Sequence, residues 1–202
     1  MMPNSKEIKT VPGGSEPVHN AKVLLRKEMI ARRKNIPPAE RARADEAICR
    51  HLLTCLETYP LLPLVGYITD GTEPDLRRVL EFQLARGGSL FVPRFLSSSE
   101  YDIVKVNTLE FPASKWGIPE PGPDAVKALP EDLRSAIWLI PGVSFDADKM
   151  RLGRGKGVYD RLLADGFHST IGVFYECQKC QKIPTESHDC SLDRIVTEQG
   201  IC

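Results

Sequence analysis

The sequence predicts an α/β fold, a single domain built on an open, mostly parallel sheet flanked by helices. Short β-rich runs (LVGYIT, SLFVPRF, IWLIPGVSF, STIGVFYE and a final RIV) alternate with segments of helical periodicity, the pattern of strand–helix–strand units. At 202 residues the chain has the length of one domain and can bury a substantial core.

The elements follow in order. Residues 1–20 are rich in Lys, Glu, Pro and Gly and are expected to form a disordered tail, leaving 21–202 as the domain. AKVLLRKEMIARRKNI then reads as a helix, with Leu25, Met29 and Ile30 at helical spacing. Lys22 and Arg26 share a face that adjoins the stripe through Met29; from the residues alone they read as solvated charges with buried stems. Pro37-Pro38 starts a second helix, which places Ile48, Leu52 and Leu56 on one face. In the helix through LRRVLEFQLA, Thr72 is the expected N-cap, Pro74 falls in the first turn and Gly87-Gly88 follow the end. Between Phe95 and Ile137, five prolines predict an irregular crossover around one strand, YDIVKV.

Composition narrows the function. Lys plus Arg (27) balances Asp plus Glu (27), so no global field draws in nucleic acid or anionic lipid, and any basic site is local. No apolar run approaches the roughly 20 residues that span a bilayer. The first 20 residues lack a hydrophobic signal core, and six scattered cysteines suit free thiols in a reducing compartment, with the cytoplasm as the default. Cys177-x-x-Cys180 with His188 and Cys190 lacks the second spaced pair of a zinc module.

The chemistry concentrates in RLGRGKGVYDRLL, Arg151 to Leu163. A Walker loop needs four residues between its first glycine and Gly-Lys, then Ser or Thr, whereas Gly155-Lys156 is followed by Gly157 and Val158. A dinucleotide fingerprint needs G-x-G-x-x-G directly after a strand, whereas here the spacing is G-x-G-x-G. A kinase glycine loop needs downstream signatures that are missing. What these loops share still applies: glycines let backbone N–H groups approach closely, and Arg and Lys add full charge, so a polyphosphate fits. The alternative is a flexible basic surface loop, which the mutual repulsion of three cations disfavours.

With its neighbours, this stretch resembles the signature of the 5-formyltetrahydrofolate cyclo-ligases, or methenyltetrahydrofolate synthetases. KVLLRKEM, TEPDL, FVPRF, WGIPEP, LIPGVSFD, RLGRGKGVYD and HDCSLD each look like family segments, in the family's order. The resemblance implies a fold of the sugar-phosphate isomerase and CoA-transferase type. It also implies an enzyme that uses ATP and magnesium to close 5-formyltetrahydrofolate to 5,10-methenyltetrahydrofolate, releasing ADP and phosphate, with no obligatory protein partner. Such a reaction needs positioning and charge neutralisation rather than a covalent enzyme intermediate.

Residue by residue, the resemblance carries Lys22, Arg26, Arg151, Gly153, Arg154, Gly155, Lys156, Gly157 and Tyr159 to the ATP phosphates. Arg154, Lys156 and Tyr159 become the catalytic set, with Arg154 and Lys156 nearest the transferring group. Asp160 and Asp189 are implied for magnesium, which prefers hard oxygen donors. Glu73, Phe95, Trp116 and Arg154 fall on the folate side, and substitution of Glu73 is expected to leave ATP binding nearly unchanged. Read alone, the aspartates are helix-start or turn residues, Glu73 belongs to a helix's first turn, and Trp116 is packing. Two positions depart from the family pattern, Val158 for a second tyrosine and Phe95 for an aromatic hydroxyl, which bears on turnover more than reaction class. A non-catalytic member that only binds folate or nucleotide is the alternative; the retained aspartates and loop cations favour the enzyme.

Overall fold

The computed structural model describes residues 16–97, 100–112, 114, 119–163, 169–186 and 189–202. Two helices, α1 (Glu16–Lys34) and α2 (Pro38–Glu57), precede β1 (Leu64–Val65), α3 (Arg77–Ala85), β2 (Leu90–Ser97) and β3 (Glu100–Val106). Next come α4 (Pro130–Ser135), β4 (Ile137–Pro141), β5 (Ser144–Phe145), β6 (Arg151–Leu152) and α5 (Val158–Leu162). β7 (Ser169–Val173), a 3-10 turn at Glu176–Gln178, β8 (Arg194–Thr197) and β9 (Gly200–Ile201) complete the chain.

Seven strands form one sheet in the order β3-β2-β1-β4-β7-β8-β9. The inner five run parallel, and only the edge strands β3 and β9 are antiparallel. The expected α/β class and largely parallel sheet are therefore observed. Both faces are covered, so successive residues of one strand serve different cores: Leu64, Ile137 and Leu139 pack with Ile48, Leu52 and Leu80, while Val65, Trp138 and Ile140 pack with Phe91 and Phe174. That double burial explains why these strands read as continuous apolar runs rather than alternating ones.

Several boundaries differ from expectation. The helix of α1 starts at Glu16, so residues 16–20 are helical rather than tail. α3 starts at Arg77, without Thr72 as its cap; the carboxylate of Asp75 accepts from the backbone N of Arg77, and Thr72 is engaged elsewhere. LVGYIT contributes only two strand residues, and IWLIPGVSF breaks at Gly142 into β4 and the separate β5–β6 hairpin. YDIVKV is the strand expected, accompanied by the short helix α4.

The strand order reverses at β1: the chain moves outward to β2 on one side and through β4 and β7 on the other. In parallel sheets the carboxyl ends of strands diverge at such a switch point and leave a crevice. Here that crevice lies between the loop after β1 and the β4–β5 turn.

Candidate functional site

A cavity of about 270 Å³ fills the crevice. The loop after β1 contributes Tyr67, Asp70 and Glu73, the β2–β3 pair contributes Pro93 and Tyr101, and the β4–β5 turn contributes Pro141 and Gly142. The opposite wall is the glycine loop, with Arg151, Gly153, Arg154, Lys156, Gly157, Tyr159 and Asp160.

The loop holds its path through β6, whose Arg151 and Leu152 pair with Phe145 and Ser144 of β5. Beyond β6, Gly155 (φ 90°) and Gly157 (φ 61°) take left-handed conformations that side chains disfavour, and they turn the chain into α5. A helix docks behind it. Arg26 of α1 donates from Nε to the carbonyl of Gly153 at 2.8 Å, and a Cβ on Gly155 would stand 3.4 Å from the Arg26 guanidinium carbon. Lys22, one turn earlier, donates from Nζ to Glu186 Oε2 and Asp189 Oδ2, both at 2.7 Å.

Carboxylates neutralise the crowded cations. Arg151 pairs with Asp160 and lies over the Tyr159 ring, 5.7 Å from its centroid. Through Nη2, Arg154 bonds both Asp70 Oδ2 and, at 3.0 Å, Glu73 Oε1. Lys156 makes no ion pair among the described residues. Arg33, 2% exposed, donates to the Gly142 carbonyl (3.2 Å) and to Thr72 Oγ1 (2.7 Å), and its Nη1 stands 4.0 Å from Glu73.

Burial raises the Glu73 carboxyl above its ordinary range, against the pull of Arg154. Burial also opposes ionisation of Asp70, yet hydrogen bonds from Arg154 and Thr72 outweigh it and bring that carboxyl down to about 2. The two acids facing one guanidinium are thus driven apart. Burial lowers Arg26, and it would lower Lys22 too, but bonds from Asp189 and Glu186 turn the Lys22 shift upward. Burial pushes the hydroxyls of Tyr159 and Tyr67 well up, so both are neutral donors.

Eight of the candidate site residues line the cavity, Glu73, Arg151, Gly153, Arg154, Lys156, Gly157, Tyr159 and Asp160, and so does the departing Val158. Lys22 and Arg26 lie behind the loop, Gly155 turns within it against the Arg26 guanidinium, and Asp189 is tied to Lys22. Phe95 is not a lining residue; it packs edge-on against Tyr101, centroids 5.5 Å apart, and the tyrosine faces the cavity. Trp116 and His188 lie outside the described residues. Sequence reading missed Asp70, Tyr67, Tyr101 and Arg33. Arg33 was discoverable, because it lies three helical turns from Lys22 on the face shared with Arg26 and Met29.

Fold and site together define an α/β protein whose switch-point cleft sets an acidic loop against a basic, glycine-rich one. A model of the 5-formyltetrahydrofolate cyclo-ligase family matches residues 18–198, and the chain belongs to that family. It is 27% identical over 196 residues to the mouse 5-formyltetrahydrofolate cyclo-ligase, covering 91% of this chain and 96% of the relative. For the enzyme of that name from Mycolicibacterium smegmatis the identity is 28% over 192 residues, covering 90% and 96%. Among solved structures, the Aquifex aeolicus 5,10-methenyltetrahydrofolate synthetase superposes with a TM-score of 0.73 at 29% identity, covering 89% of this chain and 91% of that one. The Mycoplasma pneumoniae synthetase shares the fold with a TM-score of 0.72, covering 88% and 98% of the two chains at 24% identity.

Proposed function

We propose that this family member converts 5-formyltetrahydrofolate to 5,10-methenyltetrahydrofolate, consuming ATP with magnesium and releasing ADP and phosphate. The observation that supports this most directly is the contact of Arg154 with Glu73, which joins the loop assigned to phosphate with the acid assigned to folate. A formamide oxygen is a poor leaving group. Phosphoryl transfer to that oxygen converts it into one; N10 then attacks the formyl carbon, and inorganic phosphate departs with the oxygen. Glu73 accepts hydrogen bonds from the folate and holds Arg154, whose remaining N–H groups meet the transferring phosphoryl. Lys156 adds a second charge, Tyr159 donates a neutral hydroxyl, and Arg26 fixes the loop backbone from behind.

Asp160 and Asp189 fit magnesium by donor chemistry, since both offer hard oxygen; each is paired with a cation of the site, Arg151 and Lys22, and would have to exchange that partner for the ion. The ion would be held by these carboxylates together with the substrate phosphates; among the described residues no group of three or more His, Cys, Asp or Glu is placed to hold a metal ion. When bound, magnesium neutralises charge on the phosphates. The six scattered cysteines are those of a protein at home in a reducing compartment such as the cytoplasm, and no described helix is long and apolar enough to cross a membrane.

The test is a spectrophotometric assay for the methenyl product with protein, magnesium-ATP and 5-formyltetrahydrofolate. Signal only when all components are present supports the reaction. Folate or nucleotide binding without product would instead identify a binding protein.

A further inference from the structure

Arg154 belongs to a closed circuit of side chains that neither the glycine pattern nor family membership accounts for. Arg33 donates to Thr72 Oγ1 at 2.7 Å, and that hydroxyl donates to Asp70 Oδ1 at 2.7 Å. The other Asp70 oxygen accepts from Arg154, Arg154 reaches Glu73 at 3.0 Å, and Glu73 returns to Arg33 at 4.0 Å. Two cations and two anions alternate around this ring, so it is neutral overall.

Asp70 is shaped for one task within it. Its Oδ1 accepts both the backbone N of Thr72 (2.9 Å) and the Thr72 hydroxyl, closing an Asx turn that fixes the carboxylate against its own loop. Oδ2 is thereby aimed outward at Arg154. The loop itself is anchored through Arg33 to the Gly142 carbonyl, and next to Gly142, Val143 donates its backbone N to the Leu152 carbonyl at 2.7 Å. Leu152 directly precedes the glycine loop, so both ends of the Asp70–Arg154 bridge rest on the same β4–β6 corner. Asp70 and Glu73 both take Nη2 of Arg154, and among the described residues nothing takes Nη1 or Nε, which are left for a ligand.

We propose that Asp70 is a positioning residue: it pins the guanidinium of Arg154, which otherwise hangs on a loop of glycines, in the orientation that meets the transferring phosphoryl. This rests on the role assigned to Arg154 above. An anion touching one amino group fixes the fork without occupying its other donors, and a fixed donor aligned before reaction costs nothing to reorganise during it.

Asp70→Asn is the informative variant. Its amide oxygen keeps the Asx turn, while an NH2 replaces Oδ2 and faces the guanidinium donor to donor. The expected result is a kcat lowered about 10-fold, because a mispositioned group slows reaction, with the ATP dissociation constant from direct titration changed less than threefold. The cycle is completed with Arg154→Ala and the double variant; in the alanine background Asp70→Asn should cost nothing further. An equal loss in both backgrounds would overturn the proposal, since Asp70 would then act without Arg154. A raised kcat or tighter ATP binding would overturn it too, showing that Asp70 competes with phosphate. An Arg154→Ala enzyme with unchanged kcat would remove the underlying role of Arg154 itself. If Asp70→Asn melts well below the parent, Asp70→Ser, which keeps a turn-forming oxygen, takes its place in the cycle.

Discussion

Glu73 and Arg154 come from opposite walls of the cleft and meet at 3.0 Å. Glu73→Gln is therefore expected to disturb the orientation of Arg154 as well as the hold on folate, with ATP binding nearly unchanged. Loss of a bond to a charged group costs about 1.5–3 kcal/mol, so the KM for folate should rise roughly 10-fold or more while kcat also falls. Steady-state kinetics decide this; a folate effect at unchanged kcat would separate the two residues in the working enzyme.

Arg154→Ala should lower kcat roughly 100- to 1000-fold, about 3–4 kcal/mol, by analogy with loss of a preorganised oxyanion donor, with a smaller effect on ATP dissociation. The variant also leaves Asp70 and the 9% exposed Glu73 facing each other without their shared cation. Glu73 is already raised by burial and rises further, so the folded state binds a proton more readily than the unfolded one. Stability of the variant then increases as pH falls through the folded value toward the ordinary 4.5. Melting curves from pH 7 down to 5 should show its deficit relative to the parent shrinking; a constant or growing deficit contradicts the pairing.

Lys22→Met removes the cation between Glu186 and Asp189. Breaking a well-buried pair by deleting one partner costs about 3–5 kcal/mol, and the partial exposure of these carboxylates reduces that to about 2–3 kcal/mol. Because the Lys22 ammonium is raised above 10.5, its contribution is complete below that value and disappears only as pH climbs past it. Urea unfolding at pH 6 and pH 9 should give the same difference between variant and parent. A difference that vanished by pH 9 would mean the ion pair is not formed.

Chelation of divalent metal should abolish turnover and magnesium alone should restore it, as the hard donors Asp160 and Asp189 imply. Full turnover in a magnesium-free zinc buffer would sink that assignment.

Much of this was legible in the chain, and what was missed has physical causes. The glycine loop declared itself because closely spaced Gly and cations are costly unless something anionic or a backbone turn uses them. Strands were visible through their double burial, but β6 and β9 span two residues each and leave no periodicity to detect. Thr72 looked like a helix cap because Ser and Thr bond backbone N–H groups there; tertiary partners, Arg33 and Asp70, claimed its hydroxyl instead. Asp70 had no signal at all, since its partner lies 84 positions away. Phe95 pointed to the right strand pair, but its register neighbour Tyr101 is the one that faces the cleft.

The bond from Lys22 to Asp189 spans 167 positions. During synthesis, α1 leaves the ribosome early, carrying a lysine and an arginine whose partners, Asp189, Glu186 and the Gly153 carbonyl, have yet to be made. The two-residue strand β1 likewise waits for both neighbours, β2 and β4. No nascent fragment that stops short of Asp189 offers Lys22 both of its carboxylates, so the first helix gains its full anchorage behind the glycine loop only after that residue has been made.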